Sequence, residues 1–158
     1  MSIEAGPGSY ALCLWVETEV QVQIGKVGIF DFCPGGYVYL GSAQGPGGVT
    51  ARLRHHLRLA INQRWHLDWL RPYARIVQGY VALGHDRFEC RWSKALAQLP
   101  GSGIPAAGFG ASDCRMGCPA HLIYFANGSV LEEIGFVLQA IANQDIRALS
   151  PADLAILN

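Results

Sequence analysis

The stretch "GYVYLGSAQGPGG", residues 36–48, decides how the rest of the chain is read. Tyr37 and Tyr39 fall on one face of a strand that breaks at Gly41, and a glycine-rich connection follows. A buried strand commonly uses aromatic residues for packing, but a phenol hydroxyl placed there needs a hydrogen-bond partner. A positioned tyrosine also serves as a proton acceptor or a nucleophile. The residues around this strand end decide between the two.

Downstream of it, Val49, Leu53, Leu57 and Ile61 recur every four residues and predict a helix over 49–61. Arg52 and His56, also four apart, share one face beside that stripe. Upstream, "SYALCLWV" (9–16) alternates, with Tyr10, Leu12, Leu14 and Val16 on one face. "VQVQI" (20–24) and "IFDF" (29–32) are short strands separated by "GKVG", and "PGG" turns the chain into the tyrosine strand. Residues 1–40 are therefore expected to form an antiparallel meander.

Further on, "WHLDWL" (65–70) predicts a short helix stopped by Pro72, "ARIVQGYVAL" (74–83) a strand, and "RFECRWSKALAQL" (87–99) a helix. Residues 100–121 are too rich in glycine and proline for regular structure, and a loop that long is functional or tied down. "HLIYFA" (121–126) returns as a strand. Ser129 and Glu132 form a capping-box pattern opening one helix, and Ser150 with Pro151 opens the last. The expected fold class is α/β: a small central, mostly antiparallel sheet flanked by helices over 1–127, with 128–158 a helical C-terminal extension of the same domain.

Half the residues are apolar (51%) and 15% are charged, which excludes disorder. No run approaches the ~20 consecutive apolar residues of a membrane helix. The first ten residues lack the basic start and apolar run of a secretory signal, and five cysteines is an odd number. A soluble cytoplasmic protein without a disulfide framework is the expectation. A net charge of zero hides a segregation: Arg52, Arg54, Arg58, Arg64, Arg71 and Arg75 are half of the 12 basic residues, with Asp68 the sole acid between them. Such a stripe attracts a polyanion, or it is a solvated helix face.

"GSY" (8–10), "YLG" (39–41), an arginine and histidine four apart on the next helix, and a glutamate on a later helix together resemble the GIY-YIG nuclease superfamily. "GSYAL", "GYVYLGSAQGPGG", "RWHLDWL", "FEC" and "GFGASDC…C…HL", in that order, resemble its DUF123 branch. The resemblance implies a catalytic set of Tyr10, Tyr39, Arg52, His56 and Glu89, with Glu89 holding Mg²⁺ or Mn²⁺. It implies hydrolysis of phosphodiester bonds in DNA by an endonuclease, with DNA repair as one setting. Ser9 replaces the usual apolar residue of the first motif, and Ser112 or Asp113 stands where some members place an asparagine.

The residue types suit that reaction. A lone carboxylate suits a hard cation that keeps most of its waters and borrows phosphate oxygens. Arg52 can clamp a phosphate through two parallel hydrogen bonds where charge grows in the transition state. A tyrosine near pKa ~10 is a poor base unaided, and a neighbouring cation favours its phenolate. Substrate contacts are expected from Tyr37, Gly41, Arg58, Arg64 and His66, although Tyr37 equally serves packing and His66 and Asp68 equally serve a brace. His55 is expected at the surface.

Cys114, Cys118 and His121 stand at spacings that can bind zinc, with Cys90 a fourth ligand from another element. A structural zinc there would tie down the long loop; otherwise these cysteines are small buried hydrophobes. The alternatives to the nuclease are a non-catalytic nucleic-acid-binding module of the same fold, and a zinc-stabilised domain whose acidic C-terminal helices engage a protein.

Overall fold

A computed structural model describes residues 5–157. The chain runs through strands β1 (Gly8–Val16), β2 (Val20–Ile24), β3 (Gly28–Phe32) and β4 (Gly35–Ala43), then helices α1 (Gly48–Leu57) and α2 (His66–Leu70). Strand β5 (Arg75–Leu83), helix α3 (Glu89–Ala97), and strands β6 (Ser102–Gly103) and β7 (Leu122–Phe125) follow. Helix α4 (Ile134–Ala142), strand β8 (Arg147–Leu149) and helix α5 (Pro151–Leu157) complete it. Six strands make one antiparallel sheet in the order β6-β7-β4-β1-β5-β8. The expected α/β class with an antiparallel sheet flanked by helices is what the chain forms.

The expected meander is corrected. Strands β2 and β3 pair with each other in a separate hairpin, and β1 lies directly beside β4. The reason lies in which faces are apolar. β1 and β4 are buried on both sides, whereas Gln21, Gln23, Ile29 and Asp31 of the hairpin face solvent. A strand with one wet face covers a core but cannot run through the middle of one. The hairpin therefore folds over the sheet, pointing Val22, Ile24 and Phe32 inward.

Alternation along β1 feeds two cores. Tyr10, Leu12, Leu14 and Val16 join the hairpin, α1, α2 and α5, while Ala11 and Cys13 join α3 and α4 on the other face. Helix α1 ends at Leu57, short of the expected Ile61, which is 95% exposed. Arg71 explains the stop. Its guanidinium donates to the carbonyls of His56 (2.7 Å), Leu57 (3.2 Å) and Ala74, which satisfies the end of α1 with a side chain in place of another turn. Arg71 thus leaves the expected basic stripe for a structural post.

The C-terminal segment is less purely helical than expected. β8 adds an edge strand to β5, and the cap after β7 is Asn127, whose side chain accepts from Ser129 N–H (3.1 Å), so a 3₁₀ turn precedes α4. The expected Ser129–Glu132 box does not open that helix. The Ser150 cap of α5 forms as expected, exchanging bonds with Asp153. Strands β6 and β8, two and three residues long, escape sequence reading because they are too short to alternate. No helix among the described residues is long and apolar enough to cross a membrane.

Trp92 of α3 ties this segment to the domain. It is fully buried, stacks on Phe88 (5.5 Å) and donates its indole N–H to Leu138 O of α4 (3.1 Å). Trp92→Ala should cost about 3–5 kcal/mol in urea unfolding while the transition stays single. Loss of α4 alone, seen as a second transition, would contradict this integration.

Candidate functional site

Direct pairing of β1 with β4 sets Tyr10 opposite Gly41. The Tyr10 ring lies over that glycine so closely that a Cβ at residue 41 would stand 2.5 Å from its Cζ and Oη. Gly41 therefore makes room for Tyr10 as well as bordering the cleft. The Tyr10 hydroxyl reaches His56 Nε2 at 2.8 Å, and the Tyr10, Tyr39 and His56 rings lie with centroids within 6.3 Å of one another, Tyr39 and His56 edge to face and the other two pairs tilted.

Beneath His56 is Asp68. His56 Nδ1 and Asp68 Oδ1 face each other at 3.8 Å, beyond hydrogen-bond length, and neither has another hydrogen-bond partner among the described residues. Asp68 Oδ2 takes His55 Nε2 (2.9 Å) and the backbone N–H groups of Arg64 (2.8 Å) and Trp65 (3.1 Å). His55, the neighbour of His56 on α1, reaches this carboxylate too, so it is held at the site rather than loose at the surface. Asp68 and His66 diverge, as helix geometry requires: His66 Nδ1 accepts Gly110 N–H (2.7 Å) and braces the long loop.

Protonation follows from burial. Burial pushes Tyr10 up to about 12, with the Arg52 charge and hydrogen bond opposing, and raises Tyr39 well above 10.0. Burial lowers His56 below 6.5 despite the facing carboxylate. Burial would raise Asp68, but His56, the Arg64 and Trp65 N–H groups and His55 hold it well below the carboxylate range. At neutral pH these directions give an ionised Asp68 and a neutral His56; a proton on His56 Nδ1 would face that carboxylate and leave Nε2 to accept from the Tyr10 O–H.

Above this floor opens a cleft of about 890 Å³. Arg52 reaches it from α1, stacked over Trp65 at 4.2 Å and donating to Ser42 O at 3.4 Å. Glu89 enters as the first residue of α3, accepting a hydrogen bond from Ser42 Oγ. Because Ser42 gives its only proton to that carboxylate, the 3.0 Å Ser9–Ser42 contact draws on the Ser9 proton, which Asp86 O at 3.3 Å shares. Ser9 Oγ also accepts Phe88 N–H at 2.9 Å. The serine that departs from the motif thus anchors the start of the glutamate's helix.

Of the expected site residues, Tyr10, Tyr39, Gly41, Arg52 and Glu89 border one cleft, with His56 immediately beneath. Tyr37 does not: its hydroxyl donates to Cys33 O (2.6 Å) and its ring packs on Tyr124. Arg58 is exposed and bonds back to Arg54 O, while Arg64 stacks on the outer Trp65. Of the two candidates for the asparagine position, Asp113 borders the cleft. Arg87, Arg91 and Arg115 border it too and were missed, although "RFECR" places two of them beside Glu89 in plain sight. Asp68, Ser9 and Ser42 had no signal in spacing alone, since their partners come from other elements.

Cys90, Cys114, Cys118 and His121 converge at one wall of the same cleft, every donor atom within 4.8 Å of the others, and can hold a metal ion. Residues 9–142 match the family described as "Domain of unknown function DUF123". No curated protein and no solved structure gives a match.

Stability should fall as the pH drops, in two stages. His56 has its pKa lowered from 6.5 by folding, so below that value the unfolded chain binds the proton first and gains. Asp68 is likewise depressed, so its contribution is present above the unfolded pKa of about 4 and lost progressively below it. Asp68→Asn should remove the second stage and lower neutral stability by about 1–3 kcal/mol. Urea unfolding between about pH 7 and pH 2 checks this, and full stability of the variant would contradict it.

Proposed function

The chain belongs to the DUF123 family, whose description assigns no activity, and we propose from its cleft that it is a divalent-metal-dependent endonuclease of GIY-YIG type that hydrolyses phosphodiester bonds in DNA. One observation carries the reading. Arg52, Arg87, Arg91 and Arg115 border the same cleft as Glu89, over a floor of two tyrosines, one of them bonded to a neutral histidine. Four guanidinium groups around a single cleft suit a phosphate backbone. DNA as the substrate, and repair as the setting, rest on the resemblance. The five unpaired cysteines fit a cytoplasmic setting.

Glu89 fits a hard cation: a carboxylate on the cleft, oriented by Ser42, with room for waters and phosphate oxygens. Mg²⁺ or Mn²⁺ held there would stabilise negative charge on the phosphate and the leaving oxygen. Arg52, positioned on Trp65, binds the scissile phosphate. A water attacks phosphorus and gives its proton to Tyr10 Oη as the phenol proton passes to His56 Nε2; the departing alkoxide takes a proton from solvent. Asp68 faces the resulting imidazolium, so the positive charge forms against a carboxylate already ionised. Such a relay avoids a free phenolate, which burial disfavours. A non-catalytic nucleic-acid-binding module would draw on the same arginines without turnover.

Supercoiled plasmid and branched or flapped DNA should be cut with Mg²⁺ or Mn²⁺. Glu89→Gln, Tyr10→Phe and Arg52→Ala should each lower the rate by about 100-fold or more. Cleavage should decline in acid only below the histidine pKa of 6.5, because the relay needs neutral His56. Absence of cleavage with either metal, or its survival in Glu89→Gln, contradicts the nuclease; salt-sensitive retention without cleavage supports the binding module.

A further inference from the structure

We propose that Cys90, Cys114, Cys118 and His121 form a closed, structural zinc site that fixes the wall of the cleft. Cys90 Sγ lies 3.5 Å from Cys114 Sγ and 3.5 Å from His121 Nε2. A tetrahedral zinc with ordinary bond lengths separates two sulfurs by about 3.8 Å and a sulfur and nitrogen by about 3.5 Å. Two of the six donor separations are thus close to tetrahedral values, and all four donor atoms lie within 4.8 Å of one another.

Their surroundings match ligands rather than buried thiols. Met116 N–H points at Cys114 Sγ (3.4 Å), Cys118 N–H also bonds that sulfur, and His121 hydrogen-bonds to the Gly110 backbone. Outer contacts of this kind orient zinc ligands and support thiolate charge. Gly117, at φ 74, makes the left-handed turn that brings Cys118 back beside Cys114. Three thiolates and an imidazole select zinc over harder cations, and four protein ligands leave no open position for chemistry. Cys13, inside the sheet core, and Cys33, exposed beyond β3, take no part.

The site has a consequence for the cleft. Cys90 follows Glu89 directly, while Cys114 lies between Asp113 and Arg115. One ion would therefore clamp the start of α3 to the loop that carries Gly110, Asp113, Arg115 and Met116 of the cleft, adding to the hold of Phe109 and of the Gly110–His66 bond. This assignment does not depend on any cleavage activity.

The test is metal content and metal spectroscopy on the purified full chain. About one zinc per chain should survive dialysis, and Co²⁺ in its place should give intense thiolate-to-metal absorption with tetrahedral ligand-field bands. Cys13→Ser and Cys33→Ser should retain full zinc, and Cys118→Ser should lose most of it. In the unaltered protein, the three cluster thiols should resist a thiol reagent until a chelator strips the ion, and stripping should open residues 110–117 to limited proteolysis. Zinc-supplied protein that holds no zinc and gives no cobalt–thiolate band would overturn the site. So would full zinc retention by Cys118→Ser, or a Cys90–Cys114 disulfide in the freshly purified chain.

Discussion

A tyrosine hydroxyl buried against a histidine dictates much of this molecule. Tyr10 is fully buried, and its hydroxyl lies 2.8 Å from His56 Nε2, itself fully buried. Leaving either polar atom unpaired would cost about 1–3 kcal/mol. The requirement propagates outward. β1 must pair directly with β4 so that the ring can lie over Gly41; α1 must start early enough to bring His56 over the sheet; and α2 must offer Asp68 from below. Arg71 ends α1 one residue after His56 with its own guanidinium. The hairpin of β2 and β3, which separates the two tyrosine strands in sequence, is moved aside to keep them adjacent in space.

The cleft above this floor is built from parts that arrive independently. Arg52 comes from α1 and is held flat on Trp65. Glu89 comes from the far side of the sheet and is held by two serines, one on each central strand. The loop of residues 100–121 closes the third side through Phe109, which packs into the hairpin core, and through the cysteine–histidine cluster. Strands and helix starts place Tyr10, Tyr39, Arg52 and Glu89, while Arg87, Asp113 and Arg115 come from connections, and fixed charged groups of this kind act strongly in a partly desolvated site.

How much of this was legible in the sequence depends on whether partners lie near one another along the chain. β1, β4, β5, α1, α3 and α5 announce themselves by periodicity and caps, and the Arg52–His56 pair by its four-residue spacing. The two-residue and three-residue edge strands have no period to read. The place of the hairpin was misjudged because strand order is a long-range property that consecutive alternation does not encode. Ser9 looked like a flaw in a motif until its partners, Ser42 and Phe88, were seen beside it. Asp68 looked like a brace, and it is one; it also faces His56, which no spacing within residues 65–70 could reveal. Tyr37 shares a strand face with Tyr39, but its hydroxyl is spent on Cys33 O, a contact made by a turn rather than by strand geometry.

Nitrogen-detected NMR of the imidazole rings across the acid-to-neutral range tests the buried relay most directly. His56 should appear as the neutral tautomer protonated on Nδ1, with Nε2 accepting from Tyr10, and should titrate only below 6.5. A His56 that carries its proton on Nε2, or that is an imidazolium at neutral pH, would contradict the account, because Tyr10 would then have no base to receive its proton.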